Sequence, residues 1–483
     1  MRYPLAAAEE TTMKRTATMS LVIVLVLLFP SVSLGAAFTF STGSPDGRMA
    51  TASRPATAGK IEIESADDFI ISGCATSITS ASFFGLITGG VPLSSITQVV
   101  VEMYRVFPLD SDTVRTPQVP TRANSPSDVA LDVRDSGAGG LTFTVSTVAA
   151  TFTAGNSVLN GIHPIPTQTT NGEGAVTGQE VMITVNFPTP FVLPPNHYFF
   201  VPQVAVTGGE FYWLSAPKPI VAAPFNPDLQ SWIRNAPLAP DWLRVGTDIV
   251  GGATPPTFNA AFSLTGSTVP IVITPTSASP LNGVEGAPIS STTFTATGGV
   301  APFAFSEAGA LPAGVTLTSA GVLSGTPAEE GSFPITVMVT DAAGCTDTLA
   351  YTIHVADAAL TLTMTSFTFT AGSPFTGAVA AFHDANTASP ASDFTATINW
   401  GDGATSAGTI ISTGGGNFSV SGTHTFASAG PFNVTVVVND VGGSTASGTQ
   451  AVSGTAAVPA LSPWMLGLLL IALAAIALQS IAK

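Results

Sequence analysis

The sequence predicts an all-β chain built from several modules, and three observations carry that prediction. Gly (47) and Pro (37) are abundant beside Thr, Ser, Val and Ala, a mixture that favours short strands and frequent turns over helices. Strand-like runs recur along the chain and are separated by clusters of Gly, Pro, Asn and Asp, the punctuation of an antiparallel sandwich or jelly roll. The first large unit contains no stretch of helical period of useful length. With 483 residues, the chain is long enough for two to four domains. The expected order is an N-terminal β-sandwich or jelly roll and two Ig-like β-sandwiches, set between an N-terminal signal peptide and a C-terminal transmembrane helix.

Residues 1–37 read as the signal peptide. Met13-Lys14-Arg15 supplies a positive start, Leu21 to Phe29 an apolar core, and Ser33-Leu34-Gly35 or Gly35-Ala36-Ala37 a small-residue cleavage site. Residues 1–12 fit neither part, so Met13 is the better start. The chain carries 30 acids against 14 bases, a net charge of −16, although charged residues make up only 9% of it. Nucleic acid and anionic lipid are therefore excluded as main partners, because phosphate binding needs basic patches.

Residues 38–268 form the first predicted unit, with strands expected over Lys60 to Glu64, Asp68 to Ser72, Gln98 to Phe107, Leu141 to Thr151, Gln179 to Phe187, His197 to Val206 and Ala260 to Leu264. Pro108 to Pro126, rich in Pro, Ser and Asp, reads as a long surface loop. Cys74 and Cys345 fall in different predicted modules. No intradomain disulfide is expected from them; each reads most simply as a small buried apolar residue, and nothing in the sequence argues for a bridge between modules.

Residues 269–356 form the second unit. Val315, Leu317, Val322 and Leu323 flank the Ser319-Ala320-Gly321 turn, and Ile335, Val337 and Val339 alternate toward a core. Gly325-Thr326-Pro327 is a turn, since it lacks the Lys and following helix of a phosphate-binding loop. The stretches Phe294 to Ser306 and Leu311 to Cys345 resemble the putative-Ig repeats common in bacterial surface proteins. In the third unit, residues 357–455, Trp400, Asp402, Gly403 and His424 are similar to the Trp-x-Asp-Gly turn and later His of polycystic-kidney-disease-type (PKD-like) Ig modules, with Phe426 where Tyr is usual. That change removes a phenolic hydroxyl that could tie down a loop, and it keeps the apolar ring.

Residues 456–483 close the chain. Ser462 can cap a helix and Pro463 suits its first turn, and from Trp464 to Ile481 only Gln479 and Ser480 interrupt the apolar run. About 18 helical residues just cross a hydrocarbon core, so the tail is expected to be a membrane anchor. Val458, Pro459, Leu461, Ser462 and Trp464 resemble an IPTL-type C-terminal sorting signal, with Ala460 in place of Thr and the basic cluster reduced to Lys483. The resemblance implies a membrane sorting protease or transpeptidase as partner, and a secreted, cell-surface location for the modules.

Candidate binding residues lie in the first unit. Trp213, Trp232 and Trp242, with Tyr198 and Tyr212, could stack on sugar rings of an extracellular glycan; packing into the core is the competing role. Asp110 and Asp112, together with Asp67-Asp68, Asp128, Asp132 and Asp135, supply oxygen ligands of the kind Ca²⁺ takes, although spacing alone shows no convergence and Arg105, Arg115, Arg122 and Arg134 offer ion pairs instead. No other cofactor is indicated. The histidines (163, 197, 354, 383 and 424) are scattered and form no metal-binding pair, and no nucleophile elbow occurs. The sequence thus predicts no catalytic residues. It predicts a non-enzymatic surface display or adhesion protein that binds a glycan or protein ligand, with a secreted carbohydrate-active enzyme bearing accessory Ig-like modules as the alternative.

Overall fold

The strand Thr76–Ile87 is the hub of the first unit in the computed structural model, which describes residues 35–163, 165, 169–218, 228–457 and 463–481, with side chains of the last stretch up to residue 476. One edge of this strand pairs with Val176–Leu193, which in turn pairs with Thr142–Ala154. Its other edge pairs with Phe262–Thr268 and, further along, with Phe211–Ala216. Sequence reading missed it because TSITSASFFGLI is rich in Ser, Ala and Gly, and its apolar residues gain their β meaning only from the partners on both sides.

A second, six-stranded sheet runs in the order Leu243–Arg244, Trp232–Asn235, Ile63–Ile71, Asn196–Val206, Ile96–Arg105 and Asp132–Asp135. Lys60 to Glu64 and Asp68 to Ser72, expected as two strands, are replaced by the single strand Ile63–Ile71. The Asp67-Asp68 pair, offered as oxygen ligands for calcium, is buried within it, and other elements hold Asp67: Ser231 Oγ and the Ala260 amide donate to it at 3.0 and 2.8 Å.

The two sheets enclose one core, in which Phe69, Phe83, Phe200, Trp213 and Phe262 are packed. Phe200 stacks on Phe262 with ring centres 5.0 Å apart. Alternate residues of Asn196–Val206 serve opposite faces: Tyr198 and Phe200 enter this core, while Phe199 and Val201 join Ala66, Tyr104, Trp232 and Trp242 on the outer face. The outer face of the six-stranded sheet is therefore buried as well, which places polar groups there under cover.

In the second unit, two four-stranded sheets enclose Ile273, Phe294, Leu323, Val337, Val339 and Ile353. Ile335, Val337 and Val339 alternate inward as their spacing predicts. Gly321 is required at its turn, since φ is +85° and a Cβ would lie 2.4 Å from the Phe294 carbonyl oxygen. In the third unit the seven strands form one continuous ladder: Thr405–Gly414 pairs with Phe394–Asn399 at its start and with Asn417–Thr425 at its end, so it turns the corner between the two faces.

The cysteines correct the sequence reading. Cys74 and Cys345 form a disulfide across 271 residues, with a Cα–Cα distance of 5.6 Å. Cys345 is presented by a turn that Asp341 organises: its Oδ1 accepts the amides of Ala343 and Cys345 at 2.9 and 2.8 Å, and its Oδ2 accepts that of Val300 at 2.8 Å. Beside the bridge the Val269 amide donates to the Ala75 carbonyl at 2.7 Å. Spacing could not reveal this, because the two half-cystines meet only after two separate modules have folded.

The expected signal peptide lies mostly outside the described residues, as do Val458, Pro459, Leu461 and Ser462. A helix follows over Pro463–Ile481. Its described apolar side chains are solvent-exposed, Trp464 at 85%. The predicted transmembrane span is not supported: among the described residues no helix is long and apolar enough to cross a membrane.

Candidate functional site

Ionisable groups concentrate on the covered outer face of the six-stranded sheet. Arg234 and Glu64 are direct cross-strand partners. The guanidinium grips the carboxylate as a fork, Nη2 donating to Oε1 at 2.8 Å and Nε to Oε2. Its flat face lies 4.3 Å from the centre of the Trp242 ring and 5.2 Å from that of Tyr104. Nη2 also donates to the Tyr104 hydroxyl at 2.7 Å, and that hydroxyl stands 2.8 Å from both Glu64 Oε1 and Glu102 Oε2. With one proton to give, it serves one carboxyl at a time.

Burial, reinforced by the charge on Glu64, pushes the Glu102 carboxyl up to about 8. Burial also drives the Tyr104 phenol far above its usual range. At neutral pH the cluster thus holds a largely protonated Glu102 beside the Glu64 carboxyl that Arg234 clamps. Two carboxyls side by side resemble the paired acids of a hydrolase in kind but not in access.

The loop over residues 106–131 closes this face. Arg115 donates to Asp241 through both Nη atoms at 2.6 and 3.1 Å and reaches Asp128 at 3.3 Å; Arg122 also pairs with Asp128. Burial disfavours the charge on Asp241, but Arg115, the Gln118 amide and Arg122 outweigh it and hold that carboxyl below its ordinary value. Asp110 and Asp112, the calcium candidates, are occupied in the same way. Asp110 pairs with Arg105, and Asp112 Oδ1 accepts the amides of Val114 and Arg115 at 2.9 and 3.2 Å. Among the described residues, no three His, Cys, Asp or Glu side chains converge as a metal would require.

Trp213, Trp232 and Trp242 are each 1% exposed. Trp213 donates its indole N–H to the Ala261 carbonyl at 3.1 Å, and Trp242 donates to that of Ser127 at 3.2 Å. They are core anchors, and none offers a face to a sugar ring. Tyr198 and Tyr212 are buried too.

A second polar group sits further along the same sheet. His197 Nε2 lies 2.6 Å from Asp68 Oδ2. Burial raises both Asp67 and Asp68 above the ordinary carboxylate range. The interior cavity beside Asp67, lined by Ser231, Asn259 and Ala260 among others, measures about 10 Å³, room for about one water. In the third unit a concavity of about 470 Å³, lined by Thr368–Thr370, Ser373–Thr376 and Thr455, contains no titratable side chain.

The Trp-x-Asp-Gly turn of the third unit is a packing device. Trp400 is fully buried and donates to Ser406 Oγ at 3.0 Å. His424 stacks on its ring at 4.8 Å and meets Asp402 Oδ2 at 2.7 Å. Phe426 is fully buried against Phe369, with ring centres 4.0 Å apart.

Sequence reasoning did not single out Glu64, Glu102, Tyr104 or Arg234. The available signal was a charge inside an apolar strand run, as in VVVEMYRV and SWIRN, which requires a buried partner wherever both strand faces are covered.

The folds and sites described define a β-modular chain with an Ig-like unit at its centre. Residues 253–356 match the family described as Putative Ig domain. That match begins upstream of Val269, within residues whose strands complete the first unit's sheets. No curated protein matches the chain. Among solved structures it is similar to a protocadherin gammaB7 EC3-6 fragment (17% identity, 37% of this chain and 46% of that one, TM-score 0.18). Others are the fibronectin(III)-like modules of Clostridium thermocellum CbhA (10%, 38% and 95%, 0.16) and an endo-fucoidan hydrolase of glycoside hydrolase family 107 (16%, 50% and 38%, 0.20). The chain spans less than half the length of the protocadherin and the hydrolase, and likeness at these scores carries no argument about function.

Proposed function

We propose that this chain is a non-enzymatic cell-surface display or adhesion protein, in which the first unit meets an extracellular glycan or protein and the Ig-like units form its stalk. The observation that carries the reading is the Cys74–Cys345 bridge, which staples the first unit to the second and belongs to an oxidising compartment. The acidic chain supports the same reading, since its 30 acids outnumber its 14 bases and disfavour nucleic acid as a partner. Burial of all three tryptophans shifts the expected contact from aromatic stacking to polar loops and strand edges. The tail around Val458 and Trp464 acts as a sorting signal read by a membrane transpeptidase.

An array of glycans and matrix proteins probed with the full chain tests this. Saturable binding to one class is expected, and silence across all classes would remove the adhesive role. Protease added to intact cells should release fragments of all three units; protection of the Ig-like units would contradict the surface location.

One observation favours a second reading, a carbohydrate-active enzyme: two carboxyls, Glu64 and Glu102, meet at one tyrosine hydroxyl, 2.8 Å from each. Polysaccharide hydrolysis that disappears in Glu102→Gln while the fold is retained would establish it.

A further inference from the structure

The chain has four lysines, Lys14, Lys60, Lys218 and Lys483. Lys218 follows the strand Phe211–Ala216 by two residues, and its side chain is only 10% exposed. That strand pairs with Asn259–Ala260, Ala216 opposite Asn259, and the pairing brings the Lys218 amine to a side chain 41 residues further on. Nζ donates to Asn259 Oδ1 at 3.2 Å, to the Asp228 carbonyl at 2.8 Å and to the Leu229 carbonyl. Lysine differs from arginine here in one chemical respect: its amine can give up a proton and become a nucleophile, which a guanidinium cannot do.

Asp228 completes the arrangement. Its side chain is 6% exposed, its Oδ1 lies 3.0 Å from Lys218 Nζ, and its Oδ2 accepts from Asn259 Nδ2 at 3.3 Å. One carboxylate thus touches both the amine and the carboxamide nitrogen, while the carboxamide oxygen faces the amine. Asn259 is fully buried and lines the cavity of about 10 Å³ together with Trp213, Val245 and Phe258, room for one molecule the size of water or ammonia. Surroundings of this kind keep bulk water, and with it hydrolysis of the carboxamide, away from the three groups.

We propose that Lys218 and Asn259 join through an intramolecular isopeptide bond, with Asp228 carrying the protons. The Lys218 ammonium gives one proton to Asp228 Oδ1, and the free amine attacks Cγ of Asn259. Asp228 passes that proton to the carbonyl oxygen as its electron pair moves onto it, then carries a proton from Nζ to Nδ2. The carbonyl re-forms, the Cγ–Nδ2 bond breaks with its electron pair going to nitrogen, and the departing ammonia takes up the hydroxyl proton as ammonium. One C–N bond replaces another, nothing is oxidised or reduced, and Asp228 ends as the carboxylate it began as. Amines attack amides slowly in water because the groups must meet and shed solvent; holding them in contact beside a base removes that cost. The bond locks the chain between the two residues onto the sheet to which Phe211–Ala216 and Asn259–Ala260 belong. The inference is independent of the adhesive role and survives its failure.

The test is mass spectrometry of the full chain, intact and after reduction and tryptic digestion. The wild type should be lighter than its sequence by one ammonia, and the fragments carrying Lys218 and Asn259 should remain joined as one branched peptide. In denaturant Lys218 should resist acetylation while Lys60 is modified. Lys218→Arg, which keeps the charge, should have its full sequence mass and separate fragments. Asp228→Asn keeps the shape but cannot carry the proton, and should form the bond at least about 100-fold more slowly, read as separate fragments in freshly purified protein. If Asp228→Asn fails to fold by circular dichroism, Asp228→Ala carries the comparison, and the branched peptide of the wild type decides the bond itself in every case. A folded wild type with separate fragments and a Lys218 amine free to acetylate overturns the proposal: the lysine then only caps the carbonyls of Asp228 and Leu229. Full bond formation in a folded Asp228 variant overturns the role of that carboxylate.

Discussion

Breaking the Cys74–Cys345 bridge should loosen the first Ig-like unit about as much as a large core truncation would. The magnitude follows from which loop the bond closes. If residues 269–356 unfold while the first unit stays folded, the chain is held at Val269, whose amide bonds to Ala75, and again at Cys345. The closed loop is then roughly 75 residues, for which chain entropy gives about 4.5 kcal/mol at 25 °C; the full 271-residue separation would give about 5.6. Measured effects usually fall below such values, so about 2–4 kcal/mol is expected for the double substitution Cys74→Ala, Cys345→Ala. For a unit of this size that lowers Tm by roughly 10–20 °C. Scanning calorimetry of the full chain reads it as a downward shift of one transition, and reductant added to the wild type should produce the same shift. Identical melting of wild type and double variant, or alkylation of both thiols without reductant, would refute the reasoning.

Four further outcomes are expected. Arg234→Met leaves the Glu64 carboxylate buried without its fork and should cost about 3–5 kcal/mol in urea unfolding, most of it recovered by adding Glu64→Gln. Glu102 is raised from 4.5 to about 8, so the native state binds its proton more tightly than the unfolded chain. Its contribution is therefore complete below about pH 4.5, is lost as pH rises toward 8 and is level beyond; Glu102→Gln should remove that slope from the stability profile. Phe426→Tyr places a hydroxyl in a fully buried aromatic stack and should destabilise the third unit by about 1–3 kcal/mol, read as a lower urea midpoint. Asp341→Ala frees the turn that presents Cys345 and should speed reduction of the bridge, followed by thiol labelling over time.

Much of the architecture was legible because local rules agree with the fold. Ile335, Val337 and Val339 show the period of two, and the packed residues around Gly321 follow from a turn that only glycine fits. The strand Asn196–Val206 was placed almost to its ends. Where the reading failed, a residue's meaning depended on distant elements. Asp67-Asp68 looked like oxygen ligands for calcium because the groups that hold it, Ser231, Ala260 and His197, lie more than a hundred residues away. Asp110 and Asp112 looked like metal ligands because the bonds that occupy them, from Arg105 and from the amides of Val114 and Arg115, depend on how the loop folds.

By itself the sequence determined an all-β, net acidic chain, an Ig-like unit at its centre and an apolar C-terminal run, because composition and short-range alternation are local properties. Only the tertiary structure decided that Trp213, Trp232 and Trp242 face inward, that Glu64, Glu102, Tyr104 and Arg234 meet under a loop, and that Cys74 finds Cys345. Those outcomes depend on which strands pair and which sheet face is covered, and pairing joins residues whose separation along the chain carries no record of their distance in space.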